Sequence, residues 1–297
     1  MYPFKHWIAC SSLLICLAGL GVVGGCITMY QDDPARFAET RNLTVAHQPG
    51  MPVRVATSNG AITIQRGPVA DVLIKAELKA TSEPRLANTR IIAERREGAL
   101  VVEVAWADNQ RKGSEGCSFE ITVPDAKDVD ARTSNGSIHL TSLAGQAHAN
   151  TANGAITITA QDGPVEARTS NGAVRVKAST GAIIAETANG SIEIEDARQP
   201  VQANTNNSRI KVHLTDDNPG PVRLETSNGS IDLRVGKAFA GQLNMSTSNG
   251  SVDFSSVSNA RQVSVHKNAA HLVFGNSNAV SEVHTSNGSI HFIGLQN

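Results

Sequence analysis

The stretch TSNGSIHL at residues 133–140 decides the fold, because its first four letters return as TANG at Thr151, TSNG at Thr169 and TANG at Thr187, eighteen residues apart each time. A fixed short period marks a stacked architecture, in which each repeat is one unit that cannot bury its apolar face alone. Further starts fall at Thr205 with the same spacing and at Thr226 and Thr247 with spacing 21; a degenerate unit at His266 then precedes Thr285, 19 residues on. Repeats of 18 to 21 residues hold two short strands and two turns but no helix, so residues 125–297 read as nine two-strand rungs.

The pattern inside one unit shows which way its side chains point. In TSNGAVRVKASTGAIIAE, Val174, Val176 and Ala178 stand two apart on one arm, and Ile183 and Ala185 two apart on the other. Equivalent pairs are Ile138 with Leu140, Ile156 with Ile158, Ile192 with Ile194, and Ile231 with Leu233. Period 2 gives each arm one apolar face. Two such faces cover one another only if the chain coils, stacking like strands in parallel at about 4.8 Å per rung. The expected fold class is therefore all-β: a parallel β-solenoid of two-strand rungs.

The corner between the arms calls for residues tolerated at positive φ, and Asn followed by Gly supplies them at least cost. Stacking then predicts a column of Asn135, Asn153, Asn171, Asn189, Asn228, Asn249 and Asn287, each amide donating to one neighbour and accepting from the other. This turn ladder reads as architecture rather than as a ligand site. Outward positions agree with in-register stacking: Arg175, Glu193, Lys211, Asp232 and Asp253 place opposite signs over one another for three steps, each such pair contributing about 0.2–1 kcal/mol.

The rest of the chain frames the array. Lys5 and His6 precede an apolar run from Trp7 to Val23 that ends in VGGC, which resembles the lipobox of bacterial lipoproteins. Residues 1–25 are thus read as a signal peptide and Cys26 as the lipidated residue that anchors the chain to a membrane. Ile27 stands where an Asp would, by the same resemblance, retain the protein at the inner membrane, so attachment to the outer membrane of a Gram-negative cell is expected. Residues 26–42 are polar and without period, the pattern of a tether. Residues 43–124 carry longer strand-like runs at irregular spacing and one TSNG turn at Thr57, the pattern of an N-terminal β cap. With Cys10 and Cys16 in the signal and Cys26 lipidated, Cys117 has no partner. It alternates inward with Phe119, Ile121 and Val123, the phase of a buried, inert thiol.

Composition bounds the function. Of 297 residues, 40% are hydrophobic, 18% charged and 4% aromatic, with 25 Gly, which suits tight turns around small aliphatic side chains. A net charge of −1 offers no basic stripe for phosphates, so nucleic acid is not an expected partner. Asp216-Asp217 is an adjacent acidic pair of the array, and it sits in TDDNPGP, a turn composition. His266, His271, His284 and His291 differ in phase along their strands, so no shared metal is expected. No catalytic residue, cofactor or metal is assigned.

The repeated T-S-N-G-x-I units behind an export signal, with the entry FEITVPD at residues 119–125, resemble the bacterial putative-adhesin family, whose members carry a domain of unknown function expected to form a β-solenoid. The resemblance covers most of residues 43–297 and implies surface attachment, but its motif is structural and carries no binding residues with it. The expected function is a non-catalytic, adhesin-like envelope module with an envelope, glycan or protein partner. The alternative is a polysaccharide lyase or hydrolase using the loops of the 21-residue rungs.

Overall fold

Both arms fold as their period dictates except at the end of the first, where Ala178, expected inward, is exposed at a left-handed corner and Ser179 turns in instead. In strands Val174–Ser179 and Ile183–Thr187, Val174, Val176, Ile183 and Ala185 are buried while Arg175 and Lys177 face solvent. A computed structural model describes residues 35–255, 257 and 260–294. Residues 1–25, expected to form a signal peptide, and Cys26 lie outside the described residues.

Like strands stack in parallel and in register. Val174 stands over Ile156 and under Ile192, and Ala185 over Ala167 and under Ala203. Strands that follow the Asn corner form most of a 12-stranded sheet, and strands that lead into it form most of a 13-stranded sheet; cap and hairpin strands complete both. The core lies between them, a column of Val, Ile, Leu and Ala. The chain is thus a parallel β-solenoid.

Two expectations about this coil need correction. No Asn of the column has positive φ; the left-handed non-Gly residues of the regular rungs are Ser142, Ala160, Ala178 and Asp196, at the opposite corner. The Gly of each TSNG is instead required by close approach. A Cβ on Gly154 would overlap the carbonyl oxygen of Gly136, one on Gly172 that of Gly154, and one on Gly190 that of Gly172.

The second correction concerns rung order. The unit at His266 is not a rung: Ala260–His266 and Ala269–Phe274 form an antiparallel hairpin, which covers strand Gly241–Thr247. The last unit does not stack on the end. Strand Val280–Thr285 lies between Val222–Thr226 and Gly241–Thr247, and Ile290–Ile293 between Ile231–Arg234 and Val252–Ser255. Asp232 and Asp253, stacked directly by sequence order, would repel. His291 is inserted between them and faces both. Phe292 enters the core with it and meets Phe274 edge to face at 5.9 Å, and Phe274 in turn meets Phe239 at 5.3 Å.

The N-terminal end is closed by antiparallel pairing. Strand Phe37–Val45 pairs along its whole length with Val72–Ala80, so residues 37–42, expected in the tether, are strand. That strand is mostly solvent-exposed and has no apolar period to betray it; its partner, alternately buried throughout, supplies the apolar face. A short helix, Glu83–Asn88, is capped by the Ser82 hydroxyl and started by Pro84. Its Arg85 reaches the fully buried Glu115 through Nε at 2.6 Å and Nη2 at 2.8 Å. Glu115 also accepts from Thr81 and from the Lys112 backbone N–H. Burial alone would raise the Glu115 pKa, but these donors outweigh it and hold it at about 2.

Candidate functional site

The repeated four letters resolve into three separate jobs. The Thr hydroxyl is buried and donates to a carbonyl of the neighbouring rung: Thr151 to Gly136, Thr169 to Gly154, Thr187 to Gly172, each at 3.0 Å. The Gly leaves room for that carbonyl. The Asn amides link the rungs. Asn135 Nδ2 donates to Asn59 Oδ1 at 2.7 Å, and Asn153, Asn171 and Asn189 each donate to the preceding amide at 2.8 Å.

The ladder runs on through Asn207, Asn228, Asn287 and Asn249, in spatial rather than sequence order, at 2.8–2.9 Å. Asn207 is not flagged by the repeat, because its unit reads TNNS. Asn59 belongs to the cap by sequence yet begins the ladder. Its own amide donates to the Gly113 and Glu115 carbonyls at 3.1 and 3.0 Å. All nine amides point the same way, and each interior one spends a donor and an acceptor on its neighbours. The column is a structural seam.

What faces outward on the 12-stranded sheet is chemically richer. Two columns of side chains run along it, one of them Arg175, Glu193, Lys211, Asp232, His291 and Asp253. Lys211 Nζ lies 2.8 Å from Glu193 and 3.3 Å from Glu195. The Lys211 hydrogen bond lowers the Glu193 pKa, and Glu193, with Glu195, raises that of Lys211. Both stay charged and committed to each other. Lys177 is 3.7 Å from Glu195, and Arg209 is 3.9 Å from Asp232.

Where these columns pass the inserted rung the surface is indented by a cavity of about 360 Å³. Lys211, His213, Asp232, Arg234, His291 and Ile293 line it. Sequence reasoning missed Arg234 and His213 as a pair, because their nearness to His291 and Ile293 depends on the crossover.

Other marked residues stand apart from it. Cys117 is buried, and burial pushes its thiol up to about 12, so it is not a nucleophile near neutral pH. Asp217 accepts from the Thr215 hydroxyl within its own loop. His284 meets Ser246 on the 13-stranded sheet, at 3.0 Å, on the face opposite His291. Among the described residues no three His, Cys, Asp or Glu side chains form a metal-binding group, and no helix is long and apolar enough to cross a membrane.

Residues 165–291 match a domain of unknown function (DUF7330). No curated protein matches the sequence. Solved structures similar to the chain include a putative adhesin from Bacteroides fragilis, at 11% identity and TM-score 0.49, covering 88% of this chain and 99% of that one. A putative adhesin from Parabacteroides distasonis is 11% identical with TM-score 0.39, covering 88% and 98%. A putative cell adhesion protein from Clostridium sporogenes is 10% identical with TM-score 0.31, covering 86% and 100%.

Proposed function

We propose that the protein is a non-catalytic, adhesin-like module of the cell envelope, exported behind residues 1–25 and held to the membrane by lipid on Cys26. The observation that carries this reading is the outer face of the 12-stranded sheet. Its charges pair from rung to rung along the array into a surface of mixed polarity, indented by the cavity beside the inserted rung. Such a surface suits contact with an extended partner; the two carboxylates of the cavity, Glu195 and Asp232, are each paired with cations of the face, whereas a polysaccharide-cleaving solenoid uses carboxylates for acid and base work. The adhesin-like neighbours support surface exposure, and Ile27 after Cys26 supports the outer membrane.

The test is a pull-down of the purified protein against envelope fractions and isolated glycans, with each glycan assayed for chain shortening. Retention without shortening is expected. Shortening would replace this reading with the enzymatic one. In cells, Cys26 should take up labelled palmitate, and Cys26→Ser should accumulate as precursor; unchanged labelling of that variant removes the lipid anchor from the account.

A further inference from the structure

On the outward face of the 12-stranded sheet, most charges of the array strands are spoken for. Arg175 lies 3.9 Å from Glu193, Lys177 is 3.7 Å from Glu195, and Lys211 sits between both glutamates. Arg66, at the cap end, donates to the Pro124 carbonyl. Arg234 differs. Among the described residues it has neither an ion pair nor a hydrogen bond, because its neighbours along the column are His213 on one side and Ile293 on the other. Asp232, two residues earlier on the same strand, faces Arg209 and the Lys211 rung. A guanidinium with five donors is therefore left exposed at the rim of the cavity of about 360 Å³.

The surroundings of Arg234 describe what would satisfy it. His213 is paired with Arg234 across one rung, about 4.8 Å along the stack, and His291 stands diagonally from it, beside Asp232. Asp232 and Glu195 line the same cavity and retain acceptor capacity toward hydroxyls. Ile293, 43% exposed, offers an apolar wall. A planar fork fits a carboxylate through two parallel hydrogen bonds, stronger than neutral ones. One carboxylate, several hydroxyls and an apolar ring face within a cavity of this size together describe a uronic-acid residue.

We propose that this cavity is a binding site for a carboxylate-bearing carbohydrate, with Arg234 gripping the carboxylate, Asp232 and Glu195 accepting from ring hydroxyls, and Ile293 packing on the sugar face. The inference rests on the surface-module reading and names its ligand class. It also gives the inserted rung a role, since His291 and Ile293 line the Arg234 cavity only because Ile290–Ile293 lies beside Ile231–Arg234.

The test is calorimetric titration of the full-length protein in detergent with oligogalacturonate, with its methyl-esterified neutral form, and with inorganic phosphate. Binding of the acid oligomer is expected, weakened by added salt and at least about tenfold tighter than the neutral ester. Arg234→Gln should weaken it about tenfold or more and Arg234→Lys by less, while Arg175→Gln on the same face should leave it unchanged; circular dichroism would verify that each variant is folded. No binding of the acid oligomer, equal binding of the ester, full competition by phosphate, or indifference to Arg234→Gln would each overturn the proposal. If Arg234→Gln still attaches to envelope fractions like the parent, the site is wrong and the module reading stands. If the parent attaches to nothing, both fall.

Discussion

The two corners of each regular rung solve one physical problem in different ways. At both, the chain turns under the next rung and leaves a carbonyl that a side chain must satisfy. At the Asn corner the donor is the same Thr every time, the space is always kept by Gly apart from Ser208, and Asn amides bind rung to rung. At the opposite corner the donor changes. Gln161 reaches Gly145, Ser179 reaches Gly163, and Asn218 reaches Ala197, at 2.7, 3.1 and 2.9 Å. The turn there is made by Ser142, Ala160, Ala178 and Asp196 at φ of 53–57°, so that the next residue points inward. One corner is exacting in side-chain identity, the other only in backbone shape.

The largest effect should therefore come from filling the Asn corner. Gly172→Ala would drive a Cβ into the Gly154 carbonyl at about half a van der Waals separation, and a loss above about 4 kcal/mol or failure to fold is expected in denaturant titration. At the other corner Ala178→Gly changes a residue already in the left-handed region, where relief of strain and added chain entropy offset, and should stay within about 1 kcal/mol. Equal losses at the two positions would erase the distinction.

Acid probes the end of the ladder. Asn59 is tied to the Glu115 backbone, and the Glu115 carboxyl is lowered from an ordinary 4.5 to about 2. A lowering of that size corresponds to about 3 kcal/mol. Because the folded value lies below the unfolded one, this contribution is complete above about pH 4.5 and lost as pH falls toward 2. Arg85→Met, which strands the buried carboxylate, should flatten that part of the stability profile; an unchanged acid limb would mean the pair does not hold the cap.

Smaller effects test the seam itself. Asn171→Ala breaks two ladder bonds, to Asn153 and from Asn189, and should cost about 1–3 kcal/mol by thermal unfolding. Asn59→Ala should cost a similar amount, since it too is a working member. Thr169→Val and Ser179→Ala each leave one corner carbonyl unsatisfied and should match one another at about 1–2 kcal/mol. A clear gap between them would show that the corners do not share one carbonyl rule.

The same contrast explains what could be read in the letters. The rungs were legible because Thr, Asn and Gly each answer a demand that few other side chains meet, and because Val174 with Val176 and Ile183 with Ala185 alternate openly. The opposite corner was silent, since Gln161, Ser179 and Asn218 do one job with three different letters. Strand Phe37–Val45 was hidden because its pairing is a backbone matter and its side chains are mostly exposed. The positive φ assigned to Asn was an inference from turn chemistry that ignored the neighbouring rung. Rung order was beyond a one-dimensional reading: spacing locates Thr285 as a unit without saying which rungs flank it. Only the like charges of Asp232 and Asp253 hinted that something lies between them. The Arg234 cavity inherits that difficulty, being assembled across the crossover.

That crossover is the claim most open to a direct test. Neighbouring parallel strands hold paired Cα atoms about 4.8 Å apart, within disulfide reach, whereas two rungs apart they stand about 10 Å, beyond it. Asp253→Cys combined with His291→Cys should oxidise to an intramolecular disulfide, seen by mass spectrometry of the joined peptides, because these positions are paired in register. Asp253→Cys combined with Asp232→Cys should not, because the His291 rung separates them. A 232–253 disulfide in the folded protein, with none between 253 and 291, would contradict the inserted rung and the cavity built on it.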